Sequence, residues 1–312
     1  VPMILVEPSA TNLLPYSEDF SNAWWNKLDS LTVDSSSQIL APDGVTLVSK
    51  INVNSGRLNK DLSVPSTLPA TGNYTFSAYY KGIAGQTVLI KLGDGLTTEL
   101  VTLDGTWQRI EVPVNYASSS GIVNPIDNRS SGTATEVYLW GAQLEAGSVS
   151  TSVIPTSGST VTRAADNLEI TGSDFTDFYN ASEGTVYVES TGRGYFDNNT
   201  TFAFSDNSSA NRIYARSTSN SGGLTVFSGG SVSASMGGLT VVANNVLSRS
   251  AHSFKANNFL TSRDGNSATP DTSGNMPVGM DRLYIGAGQT GGNQLNGHIK
   301  RLIYWPTHSD SL

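Results

Sequence analysis

Val137-Tyr138-Leu139-Trp140-Gly141-Ala142-Gln143-Leu144 is the stretch that decides the fold class. Successive side chains of an extended strand point to opposite sides. Tyr138 and Trp140 therefore share one face, and Val137 and Leu139 share the other. A strand apolar on both faces belongs inside a two-sheet sandwich, with a neighbour covering one side. The same period of two runs upstream. Tyr74, Phe76, Ala78 and Tyr80 alternate with Thr75, Ser77 and Tyr79. Val88, Ile90 and Leu92 share a parity, as do Ile110, Val112 and Val114. Leu103-Asp104-Gly105-Thr106-Trp107 reads as a hairpin with Asp-Gly at its tip, and Pro42-Asp43-Gly44 as another turn. No window carries a helical stripe.

The second half repeats this texture in shorter pieces. Strands are expected over 185–189, 200–204, 212–216, 223–227, 238–242, 249–254, 282–285 and 297–305, with Gly, Asn and Ser between them. Residues 256–280 read as a loop with one short strand around Phe259-Leu260. The fold class is all-β: two antiparallel β-sandwich (jelly-roll) domains in tandem. The expected boundaries are a linker over 1–10, a jelly roll over 11–155, a linker over 156–166 and a second sandwich over 167–312. The start on Val1 and the abrupt stop at Leu312 suggest a piece of a longer chain.

Composition narrows the function. The 312 residues include 38% hydrophobic residues, enough for cores at this size. Lys and Arg total 18 against 26 Asp and Glu, a net charge of -8. Nucleic-acid binding usually needs a basic surface and is not expected. With no Cys, disulfides, thiolate nucleophiles and cysteine metal sites are excluded. Val1 to Val6 is apolar but far too short to span a bilayer, and it lacks the basic start of a signal peptide. Membrane insertion is not expected.

The zinc-hydrolase and serine-hydrolase signatures are missing. Histidine occurs at His252, His298 and His308, without the His-Glu-x-x-His spacing of a zinc hydrolase. No Gly-x-Ser-x-Gly elbow is present. Gly192-Arg193-Gly194 lacks the third glycine and the helix of a phosphate loop. Glu183, Glu189, Asp197 and Asp206 supply carboxylates for glycoside cleavage, but the Glu-x-Asp-x-x-Glu pattern of sandwich glycosidases is absent. Binding without catalysis is the expectation.

Sugars stack their apolar faces on Trp and Tyr, while their hydroxyls need amides and charged groups. Of the neighbours Trp24 and Trp25, one is expected in the core and Trp25 is the binding candidate. Tyr79 is a candidate because Tyr80 shares the parity of Phe76. Tyr195, Asp197 and Asn198 form an aromatic-polar loop cluster. Arg212 stands beside Asn211 and Tyr214, and Arg263 opens the loop Arg263-Asp264-Gly265-Asn266. Against each stands the plain alternative of core packing or a solvated turn. Trp107, Trp140 and Trp305 are assigned to the core. No cofactor is expected beyond a structural calcium, for which Glu18, Asp19 and Asp43 offer hard oxygen ligands.

Several motifs carry a resemblance. They are Thr11-Asn12-Leu13-Leu14-Pro15-Tyr16-Ser17-Glu18-Asp19-Phe20-Ser21-Asn22-Ala23-Trp24, Asn73 to Gly82, and Gly105-Thr106-Trp107-Gln108-Arg109. Leu139 to Ser148, Ile154-Pro155-Thr156 and Thr162-Arg163-Ala164-Ala165-Asp166 follow. Together they resemble a module pair of tail and fibre proteins of tailed bacteriophages. The first module is similar to jelly-roll carbohydrate-binding domains. Leu295 to Pro306 resembles the last strand of a concanavalin A-like, laminin G-like sandwich, which usually leads into a short helix whose start here would be Ser309-Asp310-Ser311-Leu312. The resemblance implies a virion tail or fibre segment, extracellular after release; the surplus of Tyr, Trp and Asn in loops points to contact with host cell-surface polysaccharide without cleavage. The resemblance also implies other virion proteins as partners and a homo-oligomer, with a trimer the usual fibre state. The rival readings are a purely structural spacer and a polysaccharide depolymerase. No set of sugar-binding residues transfers from the resemblance.

Overall fold

The computed structural model describes residues 2–62, 68, 71–93, 97–117, 121–193, 199–217, 222–239 and 243–312. It forms two antiparallel β-sandwiches. The first comprises residues 10–163; the second comprises residues 1–9 together with 164–312. Among the described residues no helix is long and apolar enough to cross a membrane.

In the first sandwich one sheet runs in the order Gln108–Tyr116, Gly72–Gly82, Glu136–Ala146, Leu47–Asn52, Thr32–Leu40. The facing sheet runs Asn26–Leu28, Arg57–Asp61, Ile122–Asp127, Thr87–Gly93, Thr97–Thr102. Phe76 lies opposite Val112 on one side and Leu144 on the other. Tyr74, Phe76, Ala78 and Tyr80 join Val88, Ile90, Leu92 and Val123 in one buried core. This is the inward parity that the alternation predicts. The Tyr80 hydroxyl donates to the Pro125 carbonyl at 3.0 Å, and burial pushes its pKa well above the usual phenol value. A bulge between Trp140 and Gln143, with Gly141 at φ +63°, keeps both side chains opposite outward-facing Tyr79 and Ser77. Trp140 is buried as expected, but in a small cluster with Ala41 and Val48 outside the main core.

Buried polar side chains close this sandwich. The Asn12 amide donates to the carbonyls of Ala142 (3.1 Å) and Ile154 (3.0 Å). Its oxygen accepts from the backbone N–H groups of Leu14 (3.0 Å) and Leu144 (3.2 Å). Gln143 accepts from the Ile154 N–H at 3.0 Å. Thr156 and Ser17 exchange hydrogen bonds of 2.9 and 2.8 Å. The boundaries shift accordingly. Thr156, placed by sequence in a linker, is buried in this network, and Val161–Arg163 pairs with Ala10–Asn12.

The second sandwich packs the sheet Ile4–Val6, Gly297–Trp305, Glu183–Gly192, Ser248–Lys255, Asn258–Arg263, Asn266–Ser267 against a second sheet. That sheet runs Glu169–Thr171, Arg282–Ile285, Asn199–Ser205, Arg212–Ser217, Gly222–Ser228, Ser231–Leu239. The expected N-terminal linker is instead its edge strand: Ile4 pairs with Ile299 and Val6 with Gly297. Val6 is buried with Leu295 and Ile299, and a Cβ on Gly286 would lie 2.8 Å from its side chain. Three residues are too few to show a period, so the sequence pattern missed this strand. In sequence, the whole first sandwich is an insertion after the first strand of the second. One helical turn, Ser173–Thr176, buries Phe175, which stacks on Tyr179 at 4.7 Å. Residues 306–312, where the helix implied after the last strand would start, are not helical.

His252 sits in this core, fully buried. Its ring nitrogens contact the Thr261 hydroxyl at 2.7 Å and the Ser250 hydroxyl at 3.0 Å. Burial, and secondarily the charge of Arg263, lowers its pKa to about 3. Between that value and 6.5 the unfolded chain binds a proton that the native ring refuses. Stability therefore falls as pH drops through this window. At pH 5 the loss is expected to be roughly 2 kcal/mol from this group. Urea titrations of the native protein and of His252→Asn should show the steeper acid loss in the native protein; parallel profiles would refute the assignment. Asn12→Ala strands several buried backbone groups and is expected to cost about 2–4 kcal/mol, read as a lower urea midpoint.

Candidate functional site

The structure redistributes the expected binding residues. Trp25 is 1% exposed. Its indole N–H donates to the Tyr16 carbonyl at 2.9 Å, and its ring meets Trp24 edge-on at 4.8 Å. The pair precedes the strand that starts at Asn26, so strand parity does not apply and Trp25 belongs to the core. Trp24 is the more open ring, with the Lys60 ammonium 4.8 Å from its centre. Arg212 is 8% exposed. Its guanidinium lies 3.5 Å over Phe227 and 5.4 Å from Tyr214 and donates to the Ser209 carbonyl. Arg263 is 4% exposed, donates to the Arg216 carbonyl at 3.3 Å, and fills the space beside Gly222. A flat guanidinium stacks and donates laterally at once, so both arginines act as packing. Tyr195, Asp197 and Asn198 lie outside the described residues.

Tyr79 faces outward, as its parity predicts. It is half-buried, 5.4 Å from Trp140, with the Arg109 guanidinium 5.7 Å from its ring. Trp107, Tyr138 and Val153 pack around the same cluster. Residues 151–154 cross this face. Arg109 donates to the Thr151 carbonyl, and the Glu145 carboxylate accepts from the Thr151 N–H (3.0 Å) and hydroxyl (2.6 Å). Burial raises the Glu145 pKa. The aromatic face is thus largely roofed.

The carboxylates considered for calcium are engaged in turns. Asp19 accepts from the N–H groups of Ser21 (3.0 Å) and Asn22 (3.2 Å). Asp43 accepts from Val45 and Thr46, both at 2.9 Å. Burial, and then the charge of Asp43, raises the Glu18 pKa, while the Trp140 indole N–H lowers it from a position short of full hydrogen-bond geometry. Among the described residues no three His, Cys, Asp or Glu side chains converge as metal ligands.

The second sandwich presents a more open surface. Val186 and Val188 are core residues, so Thr185, Tyr187 and Glu189 face outward from their strand. Tyr187 lies between Ala251 and Ile303, and Thr185 between Ser253 and Trp305. The chain beyond Trp305 returns across this face. The Thr185 hydroxyl donates to the Thr307 carbonyl (2.8 Å), the Ser309 N–H to the Ser253 hydroxyl (2.9 Å) and the Ser267 hydroxyl to the Leu312 carbonyl (3.4 Å). Two hollows result. One of about 340 Å³ is lined by Tyr187, Trp305 and His308; the other, of about 430 Å³, by Tyr187, Arg249 and Asp264. Ala251 and Leu312 line both, so they are two ends of one groove.

Its chemistry is mixed. Trp305, assigned to the core by sequence, is 45% exposed. The Tyr187 hydroxyl donates to Glu189 at 3.1 Å, and the Lys300 ammonium lies 2.9 Å from the other Glu189 oxygen. These contacts, Lys300 first, hold the Glu189 carboxyl below the usual carboxylate range. His308 packs its ring almost wholly out of solvent, with Nδ1 3.3 Å from Asp310 and, among the described residues, no hydrogen-bond partner at Nε2. The alternation of Tyr187 with Val186 and Val188 was visible in the sequence and could have found this site.

No family model matches the chain, and no curated protein does. Solved structures match weakly. The NanB sialidase of Streptococcus pneumoniae is 14% identical over 46% of this chain, with a TM-score of 0.40, and the match spans 25% of that chain. The CBM40 domain of the Ruminococcus gnavus IT-sialidase is 12% identical, covering 47% of this chain and 92% of that one, with a TM-score of 0.38. Domains LG4-5 of the mouse laminin alpha1 chain are 11% identical, covering 98% and 91%, with a TM-score of 0.32.

The packing roles are testable. Arg212→Ala and Arg263→Ala should each lower unfolding stability by about 1–3 kcal/mol, measured by urea titration. A midpoint unchanged by either substitution would contradict the assignment.

Proposed function

We propose that this chain is a non-enzymatic attachment segment that holds bacterial cell-surface polysaccharide in the groove of its second sandwich. The observation that carries the reading is an open, shallow groove floored by Tyr187 and flanked by the exposed ring of Trp305. Aromatic faces take the apolar side of a sugar ring, while Arg249, Asp264 and Ser309 supply polar groups for hydroxyls. Its frame is an antiparallel sheet, which needs little ordering on binding.

Binding without cleavage is supported by the state of Glu189, the carboxylate next to Tyr187 on its strand. A glycosidase needs a carboxyl that keeps its proton near neutral pH. Glu189 is shifted the other way by Lys300. Among the described residues the carboxyls with raised pKa, Glu18 and Glu145, belong to the first sandwich, and Glu145 is committed to Thr151.

The sequence resemblance supplies the setting: a tail or fibre of a tailed bacteriophage, among other virion proteins. A homo-oligomer, threefold in this reading, would multiply a weak single site by avidity. A purely structural spacer is the second reading, favoured by the packing roles of Trp25, Arg212 and Arg263. An array of bacterial capsule and lipopolysaccharide glycans, probed with the purified protein, separates the two. Binding to at least one glycan is expected, with Tyr187→Ala combined with Trp305→Ala weakening it about tenfold or more and no reducing ends released. A blank array would favour the spacer.

A further inference from the structure

We infer that the groove selects acidic polysaccharide, taking a sugar oxyanion between Arg249 and Arg301. The inference rests on the attachment reading above and names its substrate class. Arg301 and Arg249 are the strand partners of Glu189 on its two sides. All three project from the sheet face that carries Tyr187. Directly opposed residues in antiparallel strands have Cβ atoms about 5 Å apart, so the two guanidinium groups flank one short strip beside the phenol. Both arginines are exposed. Their charges each reach Tyr187 strongly enough to oppose the rise in its phenol pKa.

Glu189 takes up only part of this positive charge: Arg301 acts on it through its charge but stands outside ion-pair distance. One of its oxygens faces the Lys300 ammonium at 2.9 Å, and the other accepts from Tyr187. Asp264, the second carboxylate at this end, accepts from the Arg249 backbone N–H at 2.8 Å and from the Ser248 hydroxyl at 3.0 Å. Three cations (Lys300, Arg249, Arg301) thus stand against two carboxylates (Glu189, Asp264). The local sum is 3 − 2 = +1, in a chain whose net charge is -8. Among the described residues neither arginine has a carboxylate within ion-pair distance, whereas the neighbouring Lys300 and Lys255 do. Guanidinium forks match the two oxygens of a carboxylate or sulfate better than an ammonium does. The 430 Å³ hollow that Arg249 lines falls within the range of small-ligand sites, about 300–1,000 Å³. A uronic acid or similarly charged residue would stack on Tyr187 and place its anion toward the arginines.

The test uses the full chain and four polymers: polygalacturonate, its methyl ester, dextran sulfate and neutral dextran, with dissociation constants from titration calorimetry. Polygalacturonate is expected to bind about tenfold more tightly than its uncharged ester and to weaken as salt rises from about 50 to 500 mM. Arg249→Gln and Arg301→Gln should each remove most of that preference while thermal unfolding stays unchanged. Dextran sulfate binding that depends on both arginines supports the anion strip and assigns it to sulfated sugars. Equal affinity for polygalacturonate and its ester, or indifference to both substitutions, overturns this inference and leaves the attachment reading intact. Failure of all four polymers and of the glycan array overturns both.

Discussion

The register that buries Val186 and Val188 forces Thr185, Tyr187 and Glu189 out together, because side chains alternate across a strand. That constraint fixes the core and the groove in one step. Slipping the strand by one residue would put Tyr187 inside and strip the outer face of its aromatic floor. The same logic sets the first sandwich. With Phe76 opposite Val112 and Leu144, Tyr79 must meet Trp140 on the far side of the sheet. Local irregularities then adjust individual side chains. The bulge after Trp140 keeps Gln143 outward, where it can hold Ile154, and the register shift after Glu189 in its pairing with Gly297–Trp305 accompanies the approach of Lys300 to that carboxylate.

Buried polar side chains do in this chain what charge pairs do in more highly charged proteins. Only 14% of the residues are charged, and short strands joined by many turns leave backbone groups without ladder partners. Each such group must still find a hydrogen bond. Asn12 serves four of them at once, Thr156 and Ser17 serve each other, and Asn199 donates to the Leu295 carbonyl at 2.9 Å. The stretch Gln143-Leu144-Glu145 does the same for the segment that follows it. Its amide and carboxylate fasten the segment from Thr151 to Ile154, so the motif marks a closed fold and says little about a ligand.

Long alternating runs were legible from sequence because packing rewards them in proportion to their length. The parity of Tyr74 to Tyr80, and with it the outward Tyr79, was readable without coordinates. Ile4–Val6 was not, since its partner Gly297–Trp305 lies almost the whole chain away and three residues hold no pattern. Trp25 escapes for a different reason: it lies in a turn just before its strand, where parity does not hold. Arg212 and Arg263 show the limit of reading charge as exposure. An arginine can cover aromatic surface and cap a carbonyl in the interior, and only the contacts to Phe227 and Arg216 reveal it. Trp305 erred in the opposite direction. It shares the parity of Ile303 and Arg301, both on the outer face, and the apolar composition of its strand concealed that.

The two outer faces also explain why the groove, and not the Tyr79 cluster, is the better site. Both sandwiches fold a segment back over an aromatic sheet face. In the first, residues 151–154 are locked by Gln143, Glu145 and Arg109, and Val153 packs into the cluster with Tyr79 and Trp140. Displacing that segment would strand the buried Glu145 carboxyl, a cost of several hydrogen bonds at about 1–3 kcal/mol each. In the second, residues 307–312 are held by hydroxyl contacts from Thr185, Ser253 and Ser267 and by the packed His308 ring. The segment leaves Tyr187 accessible from both ends of the groove. A ligand entering there need not break a buried polar network, and the arginine strip beside Tyr187 gives it a charged contact that the roofed face of the first sandwich, with Arg109 already bound to Thr151, does not offer.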